Sequence, residues 1–287
     1  MKKVIFLLVM LSVCETFFSQ QLNSPSNNSS IKKGKFYFFW GYNRSFYGKT
    51  NLHITGPNYD FTLYGLEATD RPSKFGAVYV NPATFTVPQY NYRLGYFLTD
   101  KFLISAGVDH MKYVVTKNQQ TTISGIVTEK ASEKYAGYYL NEPIKLTEDL
   151  LIFEHTNGFN LLSLDFEYLQ PIHRILNNSV SFAWNVGIGG IWVVTKTDVR
   201  VFGDGLDNDF HLSGYSLQGK TGPRIEYKNR FFFAAEVKSG YAVLPSVLIK
   251  NKAPEIGNHN VFFYEYCFVF GVYFNVKPKK RDSAASQ

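Results

Sequence analysis

The stretch Val261-Phe262-Phe263-Tyr264-Glu265-Tyr266-Cys267-Phe268-Val269-Phe270-Gly271-Val272-Tyr273-Phe274-Asn275-Val276 decides the fold. Phe262, Tyr264, Tyr266, Phe268, Phe270, Val272, Phe274 and Val276 fill one face of an extended chain without interruption. The other face mixes Glu265, Cys267, Gly271 and Asn275 with aromatics. Period-2 alternation marks a strand with two unlike faces. A strand this long exceeds the roughly 5 or 6 residues usual in a globular sheet and suits a tilted bilayer crossing.

The same pattern recurs upstream. Phe231, Phe233, Ala235 and Val237 alternate with Ala234, Glu236, Lys238 and Gly240. Val180, Phe182, Trp184, Val186, Ile188 and Trp192 alternate with Ser181, Ala183, Asn185, Gly187 and Gly189. Leu162 to Tyr168 and Tyr90 to Tyr96 behave alike. A soluble sandwich or lipocalin-like barrel also alternates, so three further features carry the choice. The strands are long, aromatics crowd their ends as interfacial girdles do, and the polar faces combine glycine with charge, as a narrow lumen requires.

Composition agrees. The chain has 287 residues, 45% hydrophobic, with 26 Phe and 20 Tyr, which excludes a disordered polymer. Its +7 charge is spread over 30 basic and 23 acidic residues, so nothing before the tail resembles a nucleic-acid tract. Lys2 and Lys3 precede an apolar run from Val4 to Val13, followed by Ser19 and Gln20: a secretory leader over residues 1–20. Val13 is too bulky before Cys14 for a lipoprotein box, and loss of the leader leaves Cys267 alone, so no intramolecular disulfide forms. Residues 21–32 are a flexible lead-in, 33–276 the barrel, and 277–287 a basic tail.

Short connections at Thr99-Asp100-Lys101, Gln170 to Asn177 and Glu226 to Arg230 alternate with long ones at Ser45 to Phe85, Lys117 to Gly158, Thr195 to Asp209 and Pro245 to His259. The expectation is an all-β transmembrane antiparallel β-barrel with short periplasmic turns and long external loops. Its eight strands lie near 34–44, 86–98, 102–116, 159–169, 179–194, 210–225, 230–243 and 260–276. Strand-like pieces at Asn58 to Leu66 and Thr121 to Val127 would extend hairpins above the membrane, or raise the count to ten or twelve.

On its leader, alternation and aromatic last strand, the chain resembles the β-barrel outer-membrane proteins of Gram-negative bacteria, particularly Bacteroidota. The resemblance implies outer-membrane lipid around the wall and insertion machinery that reads an aromatic final strand. Phe274 is placed for that role, although Lys277 to Gln287 follow.

An eight-stranded barrel has little open lumen. Arg93, Asp109, Asp165, Glu167, Lys220, Arg224, Glu236, Lys238 and Glu265 fall on the inward face, as a paired charge plug or a narrow, porin-like ion path. Glu154-His155-Thr156-Asn157-Gly158 resembles the His-x-Ser-Asn element of outer-membrane lipid A deacylases, at one residue shorter. That implies a hydrolase with His155 as general base and Thr156 or Ser163 as nucleophile, against which stands a plain strand-end histidine. The loop aromatics Tyr47, Tyr59, Phe61, Tyr64, Tyr135, Tyr138 and Tyr139 offer surface to an external partner or glycan. The acidic segment Gly203 to Asp209 suits a turn better than a Ca²⁺ loop, and the six histidines lack zinc spacing. No metal, cofactor or nucleic-acid partner is expected.

Overall fold

A computed structural model of the protein describes residues 32–74, 76–79, 81, 88–250 and 255–276. The leader and tail lie outside the described residues. Along the chain the strands are β1 (Phe36–Tyr47), β2 (Thr50–Gly56), β3 (Tyr59–Leu66), β4 (Ala68–Thr69), β5 (Tyr90–Phe97), β6 (Phe102–Val115), β7 (Gln120–Val127) and β8 (Gly137–Lys145). They continue as β9 (Leu151–Ile175), β10 (Val180–Thr195), β11 (Asp198–Val201), β12 (Asp204–Asp207), β13 (His211–Tyr227), β14 (Phe231–Leu248) and β15 (Ile256–Phe274).

Eight of these form the wall, in the order β1, β5, β6, β9, β10, β13, β14, β15. The ring closes where β1 pairs antiparallel with β15, from Phe36 opposite Phe274 to Tyr47 opposite Phe263. Closure removes the open edges that a free sheet would expose. The turns at one end are short. Between β13 and β14, Lys228 and Asn229 take φ of 50° and 52° at the centre of a turn in which the Arg230 N–H donates to Tyr227 O at 3.0 Å, the positive pair that matches strand twist.

Side chains alternate across the wall. Outward, a belt of Phe, Tyr, Trp, Leu, Ile and Val stays exposed on every wall strand, up to 75% for Leu217. An apolar surface running right around a closed ring needs hydrocarbon, not water, as its surroundings. Inward, charged and amide side chains are buried.

The strands outlast that belt. β9 has 25 residues, more than twice the roughly 9–11 that a bilayer crossing takes. Above the belt, the long connections fold into a β-structured cap. β2 continues the line of β1 after Gly48-Lys49 and pairs with β15 from Ile256 opposite Thr55 to His259 opposite Leu52. β3, β7 and β8 add to it in turn. The β11–β12 hairpin lies on the start of β9, and β4 pairs with the end of β6.

The pieces at 58–66 and 121–127 become β3 and β7 of the cap, as the eight-strand reading with hairpins extended above the membrane expects, and the wall stays at eight strands. Two expectations change. β9 starts eight residues earlier than residue 159, because β6 and β11 supply backbone partners to its first turns above the belt. Lys32, placed in the flexible lead-in, is buried with its ammonium on Glu226.

Candidate functional site

The lumen at belt height is built by β5, β6, β9, β10, β13, β14 and β15, whose inward positions place charge in register. All nine charged residues read as inward are buried there. Arg93 bridges two strands: its guanidinium contacts Asp165, lies 3.4 Å from Asp109 and donates to Ser163 Oγ at 2.9 Å. Lys238 reaches Asp109 at 2.7 Å and Glu265 at 3.7 Å. Lys220 reaches Glu167 at 2.8 Å and Asp165 at 3.5 Å. Arg224 stands 3.7 Å from Glu236, donates to Tyr273 Oη at 3.2 Å, and rests on the Phe232 ring at 4.3 Å.

Two lysines, Lys220 and Lys238, face each other directly across β13 and β14. Like charges in that position repel. Each is turned to a separate pair of carboxylates, so the register conflict is resolved by acids on both sides. Contacts across β10 depend on missing side chains. Gly187 lies between Glu167 and Lys220, and Gly189 between Asp165 and Gln218. A Cβ on Gly189 would come within 1.9 Å of Asp165 Oδ1, and one on Gly187 within 2.9 Å of Lys220 Cε. Glycine lets charges two strands apart meet over β10.

Neutral partners complete the network. Asn91 donates to Asp109 at 2.7 Å and also to Glu265; Asn185 donates to Glu167 at 2.7 Å; Gln218 donates to Asp165 at 2.7 Å. Ser105 and Tyr37 both donate to Glu167, and Ser181 to Glu226. Charge assistance strengthens each of these bonds relative to a neutral pair. Sequence reasoning passed over Asn91, Asn185, Gln218, Glu226 and Lys32. The first three share strand parity with the charges, which was the available signal; Glu226 was assigned to a turn.

Apolar layers seal the network at both ends. Toward the short turns, Tyr37, Phe39, Phe97, Leu103, Leu169, Phe232 and Tyr273 cluster, with the Lys32 ammonium over the Phe97 and Tyr273 rings. Toward the cap, Phe159, Leu161, Val193, Val261 and Phe263 begin a larger cluster that continues through Leu52, Phe61, Leu63, Ile123 and Phe153. Among the described residues the lumen is thus filled at three levels.

The residues of the hydrolase reading are not brought together. His155 faces inward and is fully buried among Phe153, Phe159, Tyr113 and His259, its Nδ1 2.8 Å from Thr197 Oγ1. Thr156 faces outward and donates to Glu154 at 3.2 Å. Ser163 sits in the charge network, donating to Asp165 at 3.1 Å. His155 and Ser163 are eight residues apart along one strand, a separation of roughly 25 Å in extended chain, far beyond hydrogen-bond reach.

Of the loop aromatics, Tyr59 and Phe61 are buried in the cap core, and Tyr47, Tyr135 and Tyr139 lie against it. They pack into the cap's own apolar interior, and Tyr138 is strongly exposed, at 73%. The acidic segment 203–209 supplies the β11–β12 turn and β12, and Asp204 pairs with Lys250 at 2.6 Å. Among the described residues no group of three His, Cys, Asp or Glu side chains could hold a metal ion.

An all-round apolar belt, a closed eight-strand ring and a buried charged interior now stand together. This is the architecture of an outer-membrane β-barrel. Solved barrels resemble it in outline: the outer membrane protein OprG from Pseudomonas aeruginosa, at 12% identity and a TM-score of 0.38, covers 87% of this chain and 100% of its own. Outer membrane protein AlkL follows at 10% identity and 0.39, covering 92% and 99%. Ail, the attachment invasion locus protein of Yersinia pestis, stands at 12% and 0.30, covering 84% and 99%. Likeness at this level concerns the barrel outline alone. No protein-family model and no curated protein matches the chain.

Proposed function

We propose that this barrel is a sealed, non-conducting scaffold of the outer membrane, exported by a leader over residues 1–20, whose work is done by its external cap. The observation that carries the proposal is the filling of the lumen by a charge network between two apolar clusters. A transport path would leave that interior open, whereas a scaffold gains rigidity from closing it. The cap presents a sheet edge to the outside: among the described residues β8 pairs with β7 alone, and Tyr138 and Leu140 on it are 73% and 70% exposed. An unpaired strand edge flanked by apolar side chains suits an extended polypeptide or a stacked glycan ring as external partner.

Planar-bilayer recording of the purified barrel tests the sealed lumen; the expected trace is flat, and a steady large conductance would refute the proposal. Surface presentation is checked in intact cells, where Tyr138→Cys should react with a membrane-impermeant maleimide. His155 and the hydroxyl against its ring, that of Thr197, are both buried away from lipid, so His155→Ala is expected to leave the acylation of cellular lipid A unchanged by mass spectrometry.

A further inference from the structure

The two margins of the wall carry charge differently. At the short-turn end the entering chain supplies Lys33 and Lys35, the β5–β6 turn Lys101, the end of β9 Arg174, and the β13–β14 turn Lys228 and Arg230. Each short connection thus adds a cation as the ring is followed around. Lys33, Lys101, Lys228 and Arg230 are exposed, and Lys35 and Arg174 are half-buried. Acids do not match them in number. Glu226 is buried and neutralised by Lys32, which leaves Asp100 as the one further carboxylate of this margin among the described residues. Asp100 Oδ1 already accepts the backbone N–H groups of Lys32 and Lys33, at 2.7 and 3.0 Å.

The cap end is arranged otherwise, with cations set beside acids. Lys49 stands 2.8 Å from Glu67, Lys117 3.0 Å from Glu148, and Lys250 2.6 Å from Asp204. Charge there is balanced within the chain, whereas the short-turn margin holds an excess of one sign. A surface of one sign attracts a surface of the other.

Two of the cations show where that second surface stands. The Lys101 ammonium lies 5.8 Å over the Tyr168 ring and donates to Gln170 Oε1 at 3.3 Å, and the Lys228 ammonium lies 5.2 Å over the Tyr227 ring. Tyr168 packs on the exposed Phe102 and Tyr227 pairs across from the exposed Phe231, both on the lipid-facing side of the wall. The ammonium groups are therefore carried on the outer circumference, where the apolar belt stops. A lysine with its stem laid on a girdle ring holds its charge at the polar edge of a bilayer. A polyanion entering from the barrel end finds the lumen closed by Tyr37, Phe97, Phe232 and Tyr273.

We infer that the short-turn margin is a basic collar that gathers anionic glycerophospholipids around the barrel, their phosphate headgroups against Lys101, Lys228 and Arg230 and their acyl chains along the adjoining belt. The contact continues the lipid-facing surface of the wall. It rests on the outer-membrane reading proposed above, with the short turns toward the periplasm.

The test uses the full-length barrel in detergent, by native mass spectrometry with added phosphatidylglycerol or phosphatidylcholine of identical acyl chains. One basic side chain at an anionic lipid surface is worth roughly fivefold in binding, so phosphatidylglycerol should be retained about fivefold or more over phosphatidylcholine. The triple variant Lys101→Gln, Lys228→Gln, Arg230→Gln should lose most of that preference. A cap variant with Lys117→Gln, Lys134→Gln and Lys250→Gln should keep it, and so should the charge-conserving pair Lys101→Arg, Lys228→Arg. On the wild-type barrel, molar ammonium acetate should collapse the preference by screening. Equal retention of both lipids, an unchanged preference in the collar variant, or an equal loss in the cap variant would overturn the inference. Complete displacement of phosphatidylglycerol by soluble polyglutamate would overturn it too, by assigning the collar to a soluble polyanion. The heat-modifiable gel shift reports folding of each variant, and labelling of Tyr138→Cys in cells reports orientation. A folded, correctly oriented barrel without lipid preference therefore separates failure of the collar from failure of the barrel reading.

Discussion

The lumen at belt height and the core of the cap are built by inward faces of the same strands, yet they are filled by opposite chemistry. On β9, Asp165 and Glu167 point into the lumen, while Phe153, Phe159 and Leu161 point into the cap on the same side of the strand. On β15, Glu265 gives way upward to Phe263 and Val261. The outward face changes a few residues farther up, from Phe262 and Tyr264 to Asn258 and Asn260. Where lipid surrounds the wall, apolar residues are satisfied facing outward, so the middle of the interior is open to charges that pair across it, above the apolar layer of Phe39, Phe97 and Phe232. Where water surrounds it, the ordinary hydrophobic rule returns. The inward face alone does not locate the membrane; the exchange between the faces does.

The comparison breaks most sharply at Arg93. Arg93→Ala leaves Asp109 and Asp165 buried without their shared cation, and a loss of about 3–5 kcal/mol is expected in urea unfolding followed by the heat-modifiable gel shift. Phe159→Ala opens a cavity in the cap core at a comparable cost of about 3–5 kcal/mol, with a different signature. External protease should cut the cap while the gel shift of the wall persists. If both variants lose wall and cap together, the two interiors are one cooperative unit and the distinction fails.

Acid should separate the two regions further. Burial holds His155 far below the ordinary imidazole range, with the neighbouring His259 adding to the effect, and burial takes His259 down to about 3. A base whose folded pKa lies below its unfolded value of roughly 6.5 makes the folded state bind fewer protons. The cap's stability is then full above about pH 6.5 and drains as pH falls from there toward 3. Hydrogen exchange at pH 7.5 and pH 5 should show cap amides losing protection at the lower pH, and His259→Phe should flatten that dependence.

Glu236→Ala should cost less than Arg93→Ala, about 1–3 kcal/mol, because Arg224 keeps its bond to Tyr273 and its place on Phe232. Wild-type unfolding in this variant would mean Glu236 contributes nothing to the network. The smallest effect belongs to the exposed pair Lys49 and Glu67, 2.8 Å apart, where Glu67→Gln should change unfolding by less than about 1 kcal/mol.

Much of the wall was legible because alternation is local: once Phe262 to Val276 set one strand, parity assigned Arg93, Glu167 and Lys238 to the interior without knowledge of their partners. Who pairs with whom was not legible, since Glu167 meets Lys220 only because Gly187 stands between them. The cap was harder still. β2, β8 and the β11–β12 hairpin are short and mixed in composition, and they are strands because β15, β7 and β9 offer them backbone partners. Tyr59 and Phe61 looked like display residues for the same reason: nothing near them in sequence announces the core into which they fold.

β15 pairs with β14 along one edge, and its other edge is shared by β1 below and β2 above. One strand is thus keystone to two structures, and it comes last in the chain among the described strands. Until it docks, the ring stays open over a separation of more than two hundred residues, and β2 lacks the template that tethers the cap sheet to the wall. Pairings so distant in sequence are slow to form. Maturation should accordingly end in a single late step, in which heat modifiability and protease resistance of the cap arise together.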